Sequence, residues 1–255
     1  MAAEIQIRHC TSLDEFDQCV SLERLIWGDA ITVPNGIFVV AKHTGGQVLG
    51  AFDEDKLVGF TLALAGLRTM QPLLHSHMTA VLPDYQNRGL GRSLKIFQRR
   101  DALNRGIRLV EWTFDPLEIK NARFNLVRLG AIARRFIPNC YGVTASPAHA
   151  GLPTDRLLAE WWLDSERVRR ILSDSPPSLA SDVVRVSIPM NVSETKFTDA
   201  TEAATVQRHL GQRLERRLAA GYVVTGIEPH ISSADYILEP AGEIDGLQLP
   251  PIRND

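Results

Sequence analysis

Apolar and polar positions alternate with a period of two from Glu4 to Cys10. This predicts a strand, because successive side chains of an extended backbone point to opposite faces. The period then lengthens. Leu13, Phe16, Val20, Leu22 and Leu25 recur at approximately helical spacing behind Thr11 or Ser12, either of which offers an N-cap. Gly45-Gly46 introduces a strand over Gln47 to Asp53, Glu54-Asp55 signals a tight turn, and Leu57 to Ala65 is an apolar run, so a hairpin is expected. Leu74 to Leu82 reads as the next strand, and the Gly89/Gly91 turn leads into an amphipathic stretch over Arg92 to Asn104. Arg108 to Phe114 is a strand, Asn121 to Arg128 a helix stopped by Gly130, and Ala131 to Ile137 a further strand. The order β-α-β-β-β-α-β-α-β predicts a layered α/β or α+β domain.

Asn139 to Pro153 is rich in turn residues, and Arg156 to Leu163 resumes a bulky apolar strand. Ser173 to Ser181, SDSPPSLAS, has the composition of a linker. The expected division is therefore a domain over 1–172, a linker over 173–182 and a small C-terminal unit over 183–255. In that last part Val183 to Pro189, Tyr222 to Ile227 and Tyr236 to Glu239 read as strands and Ala200 to Ala220 as a charged helix. This is a β-α-β-β pattern that either stands alone or extends the first sheet.

Composition adds exclusions. At 255 residues, with 44% hydrophobic and 23% charged residues and a mean hydropathy of −0.08, the chain reads as an ordinary globular protein able to bury a core. A formal net charge of −2 gives no global field to draw it onto DNA or an anionic membrane, so neither nucleic acid nor membrane is expected as a partner. Cys10, Cys19 and Cys140 are scattered and odd in number, which suggests neither a disulfide framework nor zinc-ligand pairs. Met1 to Arg8 lacks an apolar signal segment and no long apolar run occurs, so a cytoplasmic location is expected.

Met78 to Arg92, MTAVLPDYQNRGLGR, carries the most chemistry. It sets an abrupt glycine turn between a buried strand and a basic helix. Glycines there let a ligand approach the backbone, and the free N–H groups of a helix start, with the positive end of its dipole, bind phosphate. From Tyr85 through Arg108 there are seven Arg or Lys and one acidic residue, Asp101, a local charge of +6. Glycines after a strand are also ordinary turn formers, and basic helices are often only solvated faces. The spacing fits neither a P-loop, since no Gly-Lys-Ser or Gly-Lys-Thr follows, nor the dinucleotide fingerprint.

The longer pattern Val81-x-Pro83-x-Tyr85-Gln86-x-x-Gly89-x-Gly91 resembles the central motif of the GNAT superfamily of acyl-CoA-dependent N-acyltransferases. The element order from Glu4 to Leu163 is similar as well. The resemblance implies a mixed, mostly antiparallel sheet flanked by helices, with acetyl-CoA or another acyl-CoA as cosubstrate and no metal. It implies pantetheine contacts from Ala80 and Val81, diphosphate contacts from Asn87, Arg88, Gly89, Leu90, Gly91 and Arg92, and Gln86 as a further cofactor-binding residue. A second stretch, Asn121 to Ala131, resembles the family's A-x-x-x-Y-x-K-x-G-F helix through Ala122 and Gly130. Leu126 stands where that family often has a tyrosine acid. Asn121 and Asn125, one turn apart, are candidates for hydrogen bonds to CoA or acceptor, or simply polar residues near a helix end. The run from Asn121 through Leu163 also looks like a branch of predicted acetyltransferases in which N-succinylation of amino acids occurs.

Amine acylation needs a base for the ammonium proton, a donor for the developing oxyanion, and an acid or water for the thiolate. His75, His77 and Thr79 alternate along their strand and should share one face. His75 or His77 is the candidate base, with hydrogen-bonded core histidines or a zinc site as alternatives. A main-chain N–H near Val81 is the candidate oxyanion donor. Tyr141 is the candidate acid, ahead of Cys140, and otherwise a packing aromatic. Asp155 and Arg156 are placed to hold the ammonium and carboxylate of an acceptor, or to pair internally. The function expected is direct acyl transfer from acetyl- or succinyl-CoA to the amine of a small molecule such as an amino acid, in a chain that could act as a homodimer. The alternatives are an acyl-CoA-binding sensor or assembly module without turnover, and a phosphate-ligand enzyme of another fold.

Overall fold

A computed structural model describes residues 5–29, 32–68, 70–142, 144 and 149–244. The chain forms two compact units, Met1–Glu111 and Trp112–Asp255, with the division inside one strand.

In the first unit β1 (Gln6–His9), β2 (Gln47–Asp53), β3 (Lys56–Arg68) and β4 (Gln71–Val81) pair antiparallel in that order. The strand that closes the unit, β5 (Leu109–Phe114), joins β4 in parallel through Leu74↔Val110 and His75↔Glu111. Helix α1 (Leu13–Trp27) starts on a capping box in which Ser12 accepts from the Glu15 amide and Glu15 accepts from the Ser12 amide. Of the two caps the sequence offers, Ser12 is the one used. Leu13 and Leu25, counted on the apolar stripe, are exposed, and burial falls on Phe16, Cys19, Val20 and Leu22.

A second helix, α2 (Asn35–His43), was not expected. Its run Ile37-Phe38-Val39-Val40 is rich in β-branched residues of low helix propensity, and only Phe38 and Ala41 are buried. Phe38 packs with Phe16, Phe60, Leu62 and Ala80 on one face of the sheet. On the other face α3 (Leu90–Asn104) sets Leu90 and Leu94 against Leu49, Ala51 and Val58. The result is a mostly antiparallel sheet covered by helices on both faces, as the family resemblance implies.

The pairing of β3 with β4 slips once, between Leu62↔Met78 and Ala63↔Ser76, which leaves His77 without a partner. That bulge corrects the expectation of one shared face. Strict alternation cannot run from His75 to Thr79 across an extra residue.

The second unit contains a further sheet region in the order β7 (Arg156–Trp162), β6 (Ile132–Ile137), β9 (Tyr222–Pro229), β10 (Ser233–Pro240), β8 (Val184–Pro189). β9 joins β6 at Ala133↔Val224, so the C-terminal strands continue the β6–β7 sheet. The long helix α7 (Ala200–Ala219) lies on β6 with Gly211 at the contact, where a Cβ would meet the Phe136 ring at 2.9 Å. Its Arg208, Arg213, Arg216 and Arg217 are exposed, as a solvated face should be. Three short helices, α4 (Ile119–Arg123), α5 (Glu166–Leu172) and α6 (Val192–Thr198), complete the unit. Trp161 is its buried indole, donating to Leu129 O at 2.7 Å and meeting Trp112 edge-on. Trp162 is half-buried beside the buried Arg134–Glu160 ion pair. No helix among the described residues is long and apolar enough to cross a membrane.

Candidate active site

In the first unit the chain turns sharply at the start of α3. Beyond β4 a single turn, Pro83–Tyr85, redirects the chain, and the Tyr85 hydroxyl donates to Asp53. The Gln86 side chain is spent on the turn itself, donating to Val81 O at 2.9 Å. Asn87 and Gly89 then take left-handed conformations (φ 59° and 82°), which bends the backbone into the first turn of α3. Only glycine adopts such a φ without strain at the helix entry, and Asn is the next most tolerant residue.

Gly89 is the N-cap residue, and no side chain caps the helix. The first-turn amides have no partner inside a helix, so an uncapped start leaves donors aimed outward, with the positive end of the helix dipole behind them. A Cβ at Gly89 or Gly91 would meet nothing within 4 Å, so the space over the turn is open. Asn87, Arg88 and Gly89 are exposed. A groove of about 390 Å³ continues past the turn, lined by Ile7, Gly89, Arg92, Ser93, Ile96, Phe97 and Arg100. Gly89, Arg92 and Arg100 thus line one concave surface that carries no acidic side chain among its lining residues, and the exposed Arg88 adjoins Gly89 in the turn.

Ala80 and Val81 lead into this turn. The Ala80 side chain is buried among the α1/α2 core residues, and its main chain pairs with Phe60. Upstream on β4, His75 is half-buried, with Nδ1 3.5 Å from Glu111 Oε1. Arg68 pairs with the other oxygen of the same carboxylate. Glu111 is 8% exposed and escaped the sequence analysis, because only the parallel register His75↔Glu111 brings it beside the strand. His77 sits at the bulge. Crowding around its ring, followed by the charge of His75, holds its pKa below the ordinary histidine value.

Between these histidines Ser76 turns to the α3 face and accepts from the buried Lys95 ammonium at 2.7 Å. Lys95 also donates to Gln98 Oε1 at 3.0 Å, and Gln98 donates to Gln47, whose amide reaches Asp101. Desolvation pushes the Lys95 pKa down to about 7.

The remaining candidates lie in the second unit. Asn125 is buried and donates to Asn121 Oδ1 at 3.4 Å, inside a stretch, Phe124–Arg128, wound as a π-turn. Such turns recur at functional sites. Leu126 is fully buried and has no proton to give. Tyr141 is half exposed, its hydroxyl 2.7 Å from Thr113 Oγ1. Asp155 accepts from the Asn139 amide at 2.9 Å and so braces a turn, while Arg156 is buried beside His149 and Tyr141. Among the described residues no group of three or more His, Cys, Asp or Glu side chains is gathered as a metal would need.

The class these features define is matched by comparison with known proteins. Residues 12–125 match the model of the acetyltransferase (GNAT) family. The match covers 114 of the 255 residues, and this part of the chain is similar to that family. Solved structures of similar fold include NAA60 of Arabidopsis thaliana in complex with acetyl-CoA, at 15% identity and a TM-score of 0.52, covering 62% of this chain and 99% of that one. They also include yncA from Salmonella typhimurium with its cofactor acetyl-CoA, at 19% identity and a TM-score of 0.51, covering 64% of this chain and 96% of that one. The protein smu.2055 from Streptococcus mutans UA159 has 17% identity and a TM-score of 0.52, over 62% of this chain and 99% of that one. No curated protein matches the chain in sequence.

Proposed function

We propose that this chain transfers an acyl group, acetyl or succinyl, directly from CoA to the amine of a small molecule such as an amino acid. The uncapped α3 start carries the reading, because outward amides, an open space over Gly89 and Gly91, and Arg88 and Arg92 beside them match a diphosphate. The fit of this donor set to CoA is good: charge at the turn, a groove with the apolar Ile7, Ile96 and Phe97 beyond it, and a strand leading back to titratable side chains.

When bound, acyl-CoA supplies a carbonyl activated by its thioester. The chain's own part is orientation and proton handling. Main-chain groups of β4 near Ala80 and Val81 align the cosubstrate arm, and the cradle amides hold its charge. His75, with Nδ1 turned to Glu111, keeps Nε2 to take the ammonium proton of the acceptor, whose free amine then forms the amide bond as the thioester C–S bond breaks and the departing thiolate takes a proton from water. Arg68 holds the other Glu111 oxygen, so the carboxylate that orients the imidazole is itself fixed. The buried Leu126 favours one rival, a CoA-binding module without turnover, because it removes the usual proton donor.

Titration calorimetry of the intact chain with acetyl-CoA, succinyl-CoA and ATP, followed by turnover with a panel of amines, tests both. The expected result is CoA-selective binding that Gly89→Asp abolishes, with acyl transfer to at least one small amine. Equal binding of ATP sinks the proposal, and selective binding without turnover establishes the rival.

A further inference from the structure

The second unit holds a buried charge that no described carboxylate pairs with. Arg156 opens β7 and is 7% exposed. It donates to Asp155 O at 2.8 Å and to His149 Nε2 at 3.2 Å, and its guanidinium carbon lies 5.5 Å from the centroid of the Tyr141 ring. All three partners are neutral: a carbonyl, an imidazole nitrogen that accepts, and an aromatic face. Burial, and then the charge of Arg156, keep His149 below the ordinary histidine pKa, so the imidazole adds no second cation at neutral pH.

The nearby carboxylates are committed elsewhere. Asp155 turns to the Asn139 amide at 2.9 Å. Asp115 and Glu118, whose charges reach His149, both hold the buried Lys196 ammonium, at 2.7 and 2.8 Å. No described carboxylate lies within ion-pair distance of Arg156. Buried arginines are ordinarily paired, because removing a guanidinium from water without a counter-charge is costly.

The wall beside Arg156 is rigidly built. Thr154 accepts from the Tyr141 amide and donates to Gly142 O, both at 2.8 Å, which fixes the turn that carries Tyr141. The Tyr141 and Thr113 hydroxyls are 2.7 Å apart. One donates to the other, and the accepting hydroxyl keeps its proton for a ligand.

We propose that Arg156, beside the ring of Tyr141 whose hydroxyl bonds to that of Thr113, binds the carboxylate of a small amino or organic acid in the second unit. One uncompensated positive charge calls for a monoanion, and a guanidinium with N–H groups to spare suits a planar carboxylate. The inference stands apart from the acyl-CoA reading, which rests on the first unit.

The test is thermal-shift and calorimetric titration of the intact chain, without CoA, with the L-amino acids, small monocarboxylic acids, the amides of both, and inorganic phosphate at matched ionic strength. At least one carboxylate should raise the melting temperature in a saturable way, with half-saturation below about 10 mM, while its amide does not. Arg156→Lys, which keeps the charge and loses the fork, should weaken that binding at least tenfold, and Tyr141→Phe severalfold. Amides or phosphate acting as well as carboxylates would overturn the proposal, as would silence from every carboxylate or full binding by Arg156→Lys. Because Arg156→Lys retains a cation in the same place, the variant should fold, which an unchanged circular dichroism spectrum and a cooperative melting transition of the ligand-free intact chain check.

Discussion

The two ends of the α3 first half treat polar groups in opposite ways. At the entry, Gly89 supplies no side chain, no cap is made, and the space above is open. Two turns on, Lys95 is wholly enclosed and bonded to Ser76 and Gln98, which in turn bonds to Gln47. Donors that a fold leaves unpaired at a surface are available to a ligand, whereas donors it encloses and satisfies fix the position of neighbouring elements. The entry turn therefore reads as a binding surface, and the buried seam as the brace that holds β4 against α3. Arg156 in the second unit combines both conditions, being buried and yet lacking an opposite charge among the described residues.

The largest effect that would separate these roles lies next to the brace. Replacing His75 by Ala should lower kcat by roughly 10²- to 10⁴-fold, the usual worth of a positioned general base. Acetyl-CoA affinity should stay unchanged, because the cradle is made elsewhere. Glu111→Gln should cost about tenfold in kcat/KM, since it orients the ring without touching the reacting atoms. Steady-state rates alongside calorimetry make the check, and a His75→Ala enzyme with full kcat assigns the proton to another group.

The brace should report through stability rather than rate. The Lys95 pKa of about 7 lies far below the value of a free lysine, so between these two values the unfolded chain carries a proton that the folded chain lacks. Stability must then rise with pH above about 7, by up to roughly 1.4 kcal/mol per unit, and level off near the free-lysine value. Lys95→Met removes this slope, so the difference between the wild-type and Lys95→Met unfolding free energies should change steadily from pH 7.5 to 9.5. A constant difference across that window would mean that the ammonium is not desolvated.

These contrasts also explain which parts of the molecule can be read from the chain alone. The entry turn is legible because its residues are contiguous, and Gly89 must occupy a left-handed position that few other residues accept. Hairpins and long strands are legible from period and turn chemistry, as at Glu54-Asp55. Helix α2 is hidden by its β-branched run, and α5 and α6 by having only seven residues each, too short to display a period. The His75–Glu111 contact depends on parallel register across 36 positions, which no local pattern encodes. The bulge at His77 is equally silent, since an extra residue in one strand leaves the composition of both strands unchanged. Arg156 shows the same limit in another form. Its identity is plain in the sequence, but the lack of a counter-charge emerges only once Asp155, Asp115 and Glu118 are seen to be engaged elsewhere.

The smallest effect expected is at Arg88, and it tests how the cradle divides its work between backbone and side chain. Arg88 is exposed, its guanidinium 5.8 Å from the Tyr85 ring centroid, so solvent screens whatever charge it offers a diphosphate. Exposed charge contacts are worth roughly 0.2–1 kcal/mol, which corresponds to about a 1.5- to 5-fold weakening of acetyl-CoA binding in Arg88→Ala. The loss should shrink as salt is raised from 50 to 500 mM, because it is a Coulombic contribution at a wet surface. The amide contribution is fixed by the fold and lies against the helix start, so the affinity that remains in Arg88→Ala should depend less on salt than that of the parent. If Arg88→Ala instead loses a hundredfold or more, the side chain is the principal anchor and the uncapped amides are secondary. The contrast between an open entry and an enclosed seam would then lose its functional meaning at that turn.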